Sequence, residues 1–238
     1  MKKLFILTFL FVAFSVSEGH SQTVQSFFDE ADALFKSYVS DGKVDYAAIK
    51  NNPDKLNSVL ETAKHISVSI NDPKVYQAFW INAYNLAVIK GIIDNYPIKS
   101  PLDKKGFFDK TKYDLGGTSI TLNDIENKNL RAQFDDARFH FVLVCGALGC
   151  PPIISKSYTA SNLENLLEQQ TINALNDNTF IKVTEKIVAF SEIFKWYKED
   201  FVKEGQTEID FLNDYRIEKV PKDAKVTYYS YDWRLNSK

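Results

Sequence analysis

Hydrophobic residues recur at helical spacing in the first half of the chain. Residues 24–39 and 53–66 carry apolar side chains three and four positions apart, which predicts two amphipathic helices. A third segment, about residues 74–95, is apolar around nearly its whole circumference and is followed by Pro97. Such a pattern is typical of a central helix that is buried on all sides.

Strand patterns dominate the second half. Residues 139–145, FHFVLVC, form a continuous β-rich apolar run, which predicts a strand buried on both faces. Other strands are predicted on either side of Gly116-Gly117, in a hairpin over residues 179–190 and at residues 225–233. Further helices are predicted from Thr121, from the capping-box spacing at residues 161–164, and over residues 191–205 and 207–215. We therefore expect an α+β fold: a helix-rich N-terminal part whose central buried helix packs on a small, mainly antiparallel sheet.

The first 21 residues have the pattern of a cleavable secretory signal. A basic start precedes an apolar run over 4–16, and Gly19 and Ser21 fit the small positions before a cleavage site. The run is shorter than the roughly 20 residues that a membrane-spanning helix needs. We expect a signal peptide over 1–21, a single domain over 22–238, and a periplasmic or secreted protein with no transmembrane segment after cleavage.

Composition and charge exclude several classes of protein. The net charge is −2, and 45% of the residues are hydrophobic with 14% aromatic, which indicates a folded domain and no binding to nucleic acid. The chain contains no phosphate-binding glycine motif, no HExxH and no CxxC motif. The sequence therefore predicts neither a cofactor nor a metal centre.

Candidate chemistry concentrates in RFHFVLVCGALGCPP, residues 138–152. This segment contains His140 and the only two cysteines of the chain, Cys145 and Cys150. A thiol nucleophile needs a base within hydrogen-bond reach, and His140 is the candidate base nearest in sequence. On an ideal strand, however, residues five apart point to opposite faces. A direct pair therefore requires Gly146 and the strand end to turn Cys145 round, or requires Cys150 to fold back from the loop instead.

The two cysteines permit two other interpretations. An exported chain meets an oxidising compartment, and the loop with its two glycines allows a Cys145–Cys150 disulfide. Alternatively, both thiols are inert and buried. The sequence leaves the three alternatives open.

Four other polar side chains are further candidates. Asn82 and Asn85 lie in the buried helix, where an amide without partners costs roughly 1–3 kcal/mol, so each must bond to backbone, water or a ligand. Glu126 and Arg138 either orient His140 and hold a substrate carboxylate, or form a buried ion pair with each other.

Five segments together resemble the family named domain of unknown function 547: AFWINAYNLAVIKGI, ITLNDIENKNLR, RFHFVLVCGALGCPPI, SEIFKWYKEDF and YDWRLN. The resemblance covers about residues 46–236. The resemblance implies an exported bacterial protein, in a family that also occurs in plants, without an assigned activity. It also implies a distant likeness to papain-like or transglutaminase-like enzymes, although the central helix here has no cysteine. Asn127 stands where the family commonly has histidine.

These observations give two hypotheses. The first is a cysteine-dependent hydrolase or acyl-transferase-like domain, with Cys145 as nucleophile, His140 as base and Glu126 or Asn85 orienting the histidine. Its polar cleft would be lined by the predicted substrate-binding residues Trp80, Asn82, Tyr84, Asn85 and Arg138. The second is a non-catalytic periplasmic protein that binds a peptide or small ligand, in which a Cys145–Cys150 disulfide stabilises the loop.

Overall fold

A computed structural model describes the backbone of residues 12–238 and the side chains of residues 24–238. The signal peptide predicted over residues 1–21 lies outside the fully described residues. No helix of the described residues is long and apolar enough to cross a membrane.

The N-terminal part is helical, as the sequence pattern predicts. Its elements are α1 (Val12–Tyr38), the two-residue strands β1 (Val39–Ser40) and β2 (Lys43–Val44), α2 (Tyr46–Asn51), α3 (Asp54–His65) and α4 (Pro73–Asn95). The side chain of Asp72 accepts a hydrogen bond from the backbone N–H of Val75, and Pro73 occupies the first turn of α4. These are favourable N-terminal residues because the first N–H groups of a helix have no partner within it.

Helix α4 is the predicted central buried helix. Nearly every side chain from Gln77 to Ile93 is buried. Its neighbours include helices α1, α2 and α3. It also contacts the hairpin of β3 (Lys112–Leu115) and β4 (Thr118–Thr121). The expectation that this helix packs on a single sheet was therefore wrong, since many of its packing partners are other helices.

A helical segment follows β4. Thr121 accepts a hydrogen bond from the backbone N–H of Asp124 at 3.1 Å, as the predicted N-cap of the short helix α5 (Leu122–Asp124). The chain then continues as a π-helix over Ile125–Arg131. Such wide turns are rare and occur frequently at functional sites.

The strand predicted over residues 139–145 does not form. Ala137–Phe141 is a 3₁₀ helix, and the following residues are irregular. The side-chain amide of Asn85 replaces a strand partner: its Nδ2 donates to the carbonyl of Val142 at 3.0 Å, and its Oδ1 accepts from the N–H of Val144 at 2.9 Å. The segment is as buried as predicted, but its backbone is satisfied by a side chain instead of a sheet.

The C-terminal part contains the largest sheet of the described residues. Its elements are α6 (Leu163–Asn176), β5 (Lys182–Val183), β6 (Ile187–Ser191), α7 (Glu192–Trp196), α8 (Lys198–Phe201), α9 (Glu208–Tyr215) and β7 (Lys225–Tyr229). Strand β6 pairs antiparallel with β5 and parallel with β7. The predicted hairpin, final strand and α9 are confirmed.

Two local predictions in this part were wrong. The helix predicted over 191–205 is interrupted at Tyr197, between α7 and α8. The capping box predicted at 161–164 is absent, because Asn162 precedes α6 and its side chain accepts instead from the N–H of Thr159 at 2.8 Å.

Two hydrophobic clusters are present among the described residues. One surrounds α4, and the other surrounds the sheet of β5, β6 and β7. Residues 137–150 contribute to both: Phe139 and Val144 pack in the first cluster, and Phe141 and Ala147 in the second. The mixed α+β class is confirmed, and the cysteine segment lies where the two clusters meet.

Candidate functional site

The cysteine loop depends on its two glycines. Gly146 has φ +83°, and a Cβ there would lie 2.6 Å from Cδ1 of Ile92. A Cβ at Gly149 would lie 2.8 Å from the ring of Tyr231 and 2.9 Å from the backbone nitrogen of Asp232. Contacts below 3 Å are not tolerated without rearrangement, so the chain can turn here only with glycine.

The C-terminal segment covers this loop. The N–H of Leu148 donates to the carbonyl of Arg234 at 2.7 Å, and the N–H of Gly149 donates to the carbonyl of Asp232 at 2.8 Å. The N–H of Asn236 donates to the carbonyl of Gly146 at 3.0 Å. These bonds fix Tyr231 against the two cysteines.

Both thiols contact one hydroxyl group. The Tyr231 oxygen lies 3.0 Å from Sγ of Cys145 and 2.9 Å from Sγ of Cys150. The backbone N–H of Cys145 also donates to Sγ of Cys150 at 3.0 Å. The cysteines are free and half-buried in this structure.

The two thiols have opposite pKa shifts. Burial, followed by the neighbouring sulfur, raises the pKa of Cys145 well above its ordinary value. Burial also opposes ionisation of Cys150, but the hydrogen bonds that its sulfur forms with Cys145, Tyr231 and the backbone outweigh it and lower its pKa. A thiolate therefore forms first on Cys150, since donors stabilise the charged form.

His140 is paired with Asp200. Its Nε2 lies 2.6 Å from Oδ2 of Asp200, whose Oδ1 accepts from Nη2 of Arg131 at 2.9 Å. The ring of Tyr197 packs 4.2 Å from that of His140. Burial opposes ionisation of Asp200, but the bonds to His140 and Arg131 prevail and hold its pKa well below the usual range.

The two thiols and His140, which Asp200 holds, meet at one cavity of about 290 Å³. Its lining residues are Tyr84, Phe108, Asn123, Glu126, His140, Leu143, Cys145, Cys150, Ile193, Trp196, Tyr197, Tyr231 and Trp233. The structure thus brings together five of the predicted site residues: Cys145, Cys150, His140, Glu126 and Tyr84. No hydrogen bond between described residues joins His140 to either sulfur.

Four predicted substrate-binding residues do not line this cavity. Asn82 bonds to the backbone of Tyr158 through both its amide nitrogen, at 2.7 Å, and its oxygen, at 3.0 Å. Asn85 holds the segment before Cys145, as described above, and Trp80 is buried beside Gly116. The predicted cleft between these side chains and a strand was therefore wrong, because the amides satisfy backbone groups.

Arg138 is the fourth of these residues. It forms an ion pair with Asp136, with an Nη2–Oδ2 distance of 2.7 Å, and reaches Glu164 at 3.1 Å. The predicted pairing of Arg138 with Glu126 was wrong, and so was the prediction that Glu126 orients His140. Asp200 takes that position.

The sequence interpretation missed the C-terminal half of the site. Asp200, Tyr231 and the aromatic residues Trp196, Tyr197 and Trp233 come from segments far along the chain. The segments SEIFKWYKEDF and YDWRLN contain all of them, and the density of aromatic residues in these two segments is the sequence signal that could have indicated the site.

The family model described as "Protein of unknown function, DUF547" matches residues 68–173. This segment of the chain resembles the DUF547 family. The resemblance inferred from the sequence is thereby confirmed over this segment. No curated protein and no solved structure matches the chain.

The DUF547 match covers only part of the cavity lining. Lining residues from Tyr84 to Cys150 lie inside the matched segment, whereas Trp196, Tyr197, Tyr231 and Trp233 lie outside it. Asn127, where the family commonly has histidine, accepts a hydrogen bond from Arg131 and so belongs to the network that ends at Asp200 and His140. Among the described residues, no group of three or more histidine, cysteine or acidic side chains is placed to hold a metal ion.

Proposed function

We propose that this protein is a cysteine-dependent hydrolase or acyl-transferase that attacks an amide, ester or thioester carbonyl. The observation that carries the proposal is the shared cavity of a donor-stabilised thiol, Cys150, and a histidine oriented by a carboxylate, His140 with Asp200. A nucleophile with a base that a third group orients is the general pattern of covalent catalysis.

Cys150 is a better nucleophile than the Cys145 of the sequence hypothesis. Its sulfur accepts from a backbone N–H and contacts the hydroxyl of Tyr231, so negative charge on it is stabilised by two donors. Burial keeps the hydroxyl of Tyr231 protonated by raising its pKa, which preserves it as a donor. Reactive cysteines are those with a lowered thiol pKa.

His140 transfers the protons in this mechanism. Its Nε2 is held by Asp200, which leaves Nδ1 for exchange with the substrate. The Cys150 thiolate forms a bond to the carbonyl carbon, the bond from that carbon to nitrogen, oxygen or sulfur breaks, and protonated His140 gives its proton to the leaving group. The thioester is then attacked by water or by an acceptor nucleophile, whose proton returns to His140, and the Cys150 thiolate leaves.

A cysteine with an oriented histidine is also the basis of catalysis in papain-like enzymes. The distant likeness to papain-like and transglutaminase-like proteins is part of this proposal. In this chain the cysteine lies in the 145–150 loop, not at the start of the central helix. Glu126 lies in the same cavity but does not contact His140, so in this mechanism it faces the substrate.

Export belongs to the same proposal. The pattern of residues 1–21 supports a periplasmic or secreted location, where the close pair of Cys145 and Cys150 would be exposed to oxidation. A count of free thiols in protein purified from the periplasm tests this point. Two thiols support the enzyme; none would favour the alternative of a non-catalytic binding protein with a Cys145–Cys150 disulfide.

Alkylation of the native full chain by iodoacetamide tests the nucleophile. We expect Cys150 to react first, with a pH midpoint below the value of about 8.5 for a free cysteine. A p-nitrophenyl ester should then give a covalent acyl adduct on Cys150, detected by mass spectrometry. Cys145→Ser is the matched control, because it keeps the backbone N–H that donates to Cys150. An adduct on Cys145 alone would contradict the assignment.

A further inference from the structure

The cavity has a wall of packed aromatic rings. Six of its lining residues are phenylalanine, tyrosine or tryptophan. The ring centroids of Tyr231 and Trp233 are 4.7 Å apart, and those of Trp196 and Trp233 are 6.0 Å apart at an angle of 25°. Trp196 is 42% exposed, so its ring remains accessible to a ligand at the mouth of the cavity.

The charge of the lining is negative. Glu126 is its carboxylate, and no lysine or arginine of the described residues lines the cavity. Glu126 forms no salt bridge among the described residues. Arg131, in the same π-helix, directs its guanidinium to Asp200 and Glu199 instead. The Glu126 carboxylate faces the hydroxyl of Tyr197, whose pKa is raised by burial and by this carboxylate. It has no ion-pair partner among the described residues, so its charge is available to a cationic ligand.

A hydroxyl group in the cavity is also available to a ligand. Tyr84 is 2% exposed and lines the cavity, yet its hydroxyl has no hydrogen-bond partner among the described residues. Burial and the nearby charge of Glu126 raise the pKa of Tyr84, so the group remains a protonated donor. The hydroxyl is open to the cavity, so a bound molecule can accept a hydrogen bond from it.

We infer that this cavity binds an organic cation, an alkylammonium or quaternary ammonium group, between the Glu126 carboxylate and the aromatic wall. Aromatic faces attract cations through their quadrupole, and surrounding rings with a carboxylate are the usual way in which proteins bind quaternary ammonium groups. The assignment of this cation to the acyl substrate rests on the proposed function; the binding of the cation does not.

The substrate class follows from the Cys150 thiolate and the cation-binding position at Glu126 taken together. The carbonyl lies at the Cys150 thiolate, and a cationic amine on the same molecule lies at Glu126. The hydroxyl of Tyr84 donates to an oxygen of that molecule. The cavity accordingly selects esters, thioesters or amides that carry an ammonium group over acidic ones.

Choline and its neutral isostere 3,3-dimethylbutan-1-ol test the inference. Each is titrated into the full-length Cys150→Ser protein at constant ionic strength, with tryptophan fluorescence and calorimetry as readouts. We expect saturable choline binding and at least about tenfold weaker binding of the alcohol, because only choline carries the charge. Glu126→Gln should raise the choline dissociation constant about tenfold or more, and Glu185→Gln, an exposed carboxylate on the β5–β6 turn, should not change it.

Trp196→Ala is the second variant, because this half-exposed side chain can be removed with little risk to folding. It should also weaken choline binding. Equal affinity for choline and the alcohol, unchanged affinity in both Glu126→Gln and Trp196→Ala, or tighter binding of acetate than of choline would overturn the inference. Choline binding without acylation of Cys150 in the wild type would refute the proposed function alone, and acylation without choline binding would refute this inference alone.

Discussion

Cys145 and Cys150 differ in the donors that their sulfur atoms receive, and this difference decides which thiol ionises first. Sγ of Cys150 receives the N–H of Cys145 at 3.0 Å in addition to the Tyr231 contact that both sulfurs share. The sequence identifies the two thiols and the nearby His140. It cannot rank the thiols, because Tyr231 is brought to them by the backbone bonds of the C-terminal segment.

Asp200 should stabilise the fold in a pH-dependent way. Its pKa is lower in the folded chain than in the unfolded chain, so the ionised carboxylate stabilises the folded state at neutral pH. That stabilisation is lost as the pH falls below about 4, toward the folded pKa. We expect Asp200→Asn to lower the melting temperature at pH 7 and to have a progressively smaller effect in acid, as measured by circular dichroism.

Asp135→Asn is the control for this prediction, because Asp135 is 86% exposed and pairs only with Lys203 at the surface. Exposed pairs contribute little, on the order of 0–1 kcal/mol. Asp200→Asn should also slow acylation of Cys150 through the loss of the His140 partner. An equal melting-temperature difference at pH 7 and pH 3 would show that Asp200 does not act through its charge.

The segment from the 3₁₀ helix to the cysteines is held by α4. A single side chain, Asn85, satisfies the carbonyl of Val142 and the N–H of Val144. A sheet would satisfy such groups with a neighbouring backbone, so this segment depends on one amide to an extent that a strand would not.

We expect Asn85→Ala to destabilise the protein strongly. It leaves two buried backbone groups without partners, and each costs about 1–3 kcal/mol. Urea denaturation measures the free energy of unfolding. Asn95→Ala is the matched control, since Asn95 lies in the same helix and bonds only to the carbonyl of Gly91, four residues before it. A similar loss in both variants would mean that Asn85 does not hold the segment.

Sequence patterns predicted α4 and the β3–β4 hairpin well, because α4 is a long, continuously apolar segment followed by Pro97 and the hairpin turns at a pair of glycines. The strand predicted over residues 139–145 was wrong because a short apolar run is compatible with a buried strand and with a buried helical turn equally. What decides between them is Asn85, which lies more than fifty residues earlier. The same limit explains why Glu126 was taken as the partner of His140: Asp200 reaches the histidine only through the packing of α8.

The candidate site lies where the two hydrophobic clusters meet, and the C-terminal segment joins them. Residues 231–238 bond to the cysteine loop, to Lys99 and to Val44. Tyr46, in the N-terminal part, donates from its hydroxyl to Oδ1 of Asn236 at 2.7 Å. The position of Tyr231 against the thiols therefore depends on contacts with both parts of the chain.

A double-mutant cycle on Tyr46 and Asn236 tests this dependence. Tyr46→Phe and Asn236→Ala each remove one end of a buried hydrogen bond, so their effects on unfolding should be non-additive by about 1 kcal/mol. Each variant should increase hydrogen exchange at residues 146–150, because the cover over the cysteine loop opens more often. The alkylation midpoint of Cys150 should shift upward as Tyr231 moves away. Ser237→Ala, whose hydroxyl bonds only to the adjacent Lys238, should change none of these quantities. Additive effects with unchanged exchange would show that the C-terminal segment is anchored independently of the N-terminal helices.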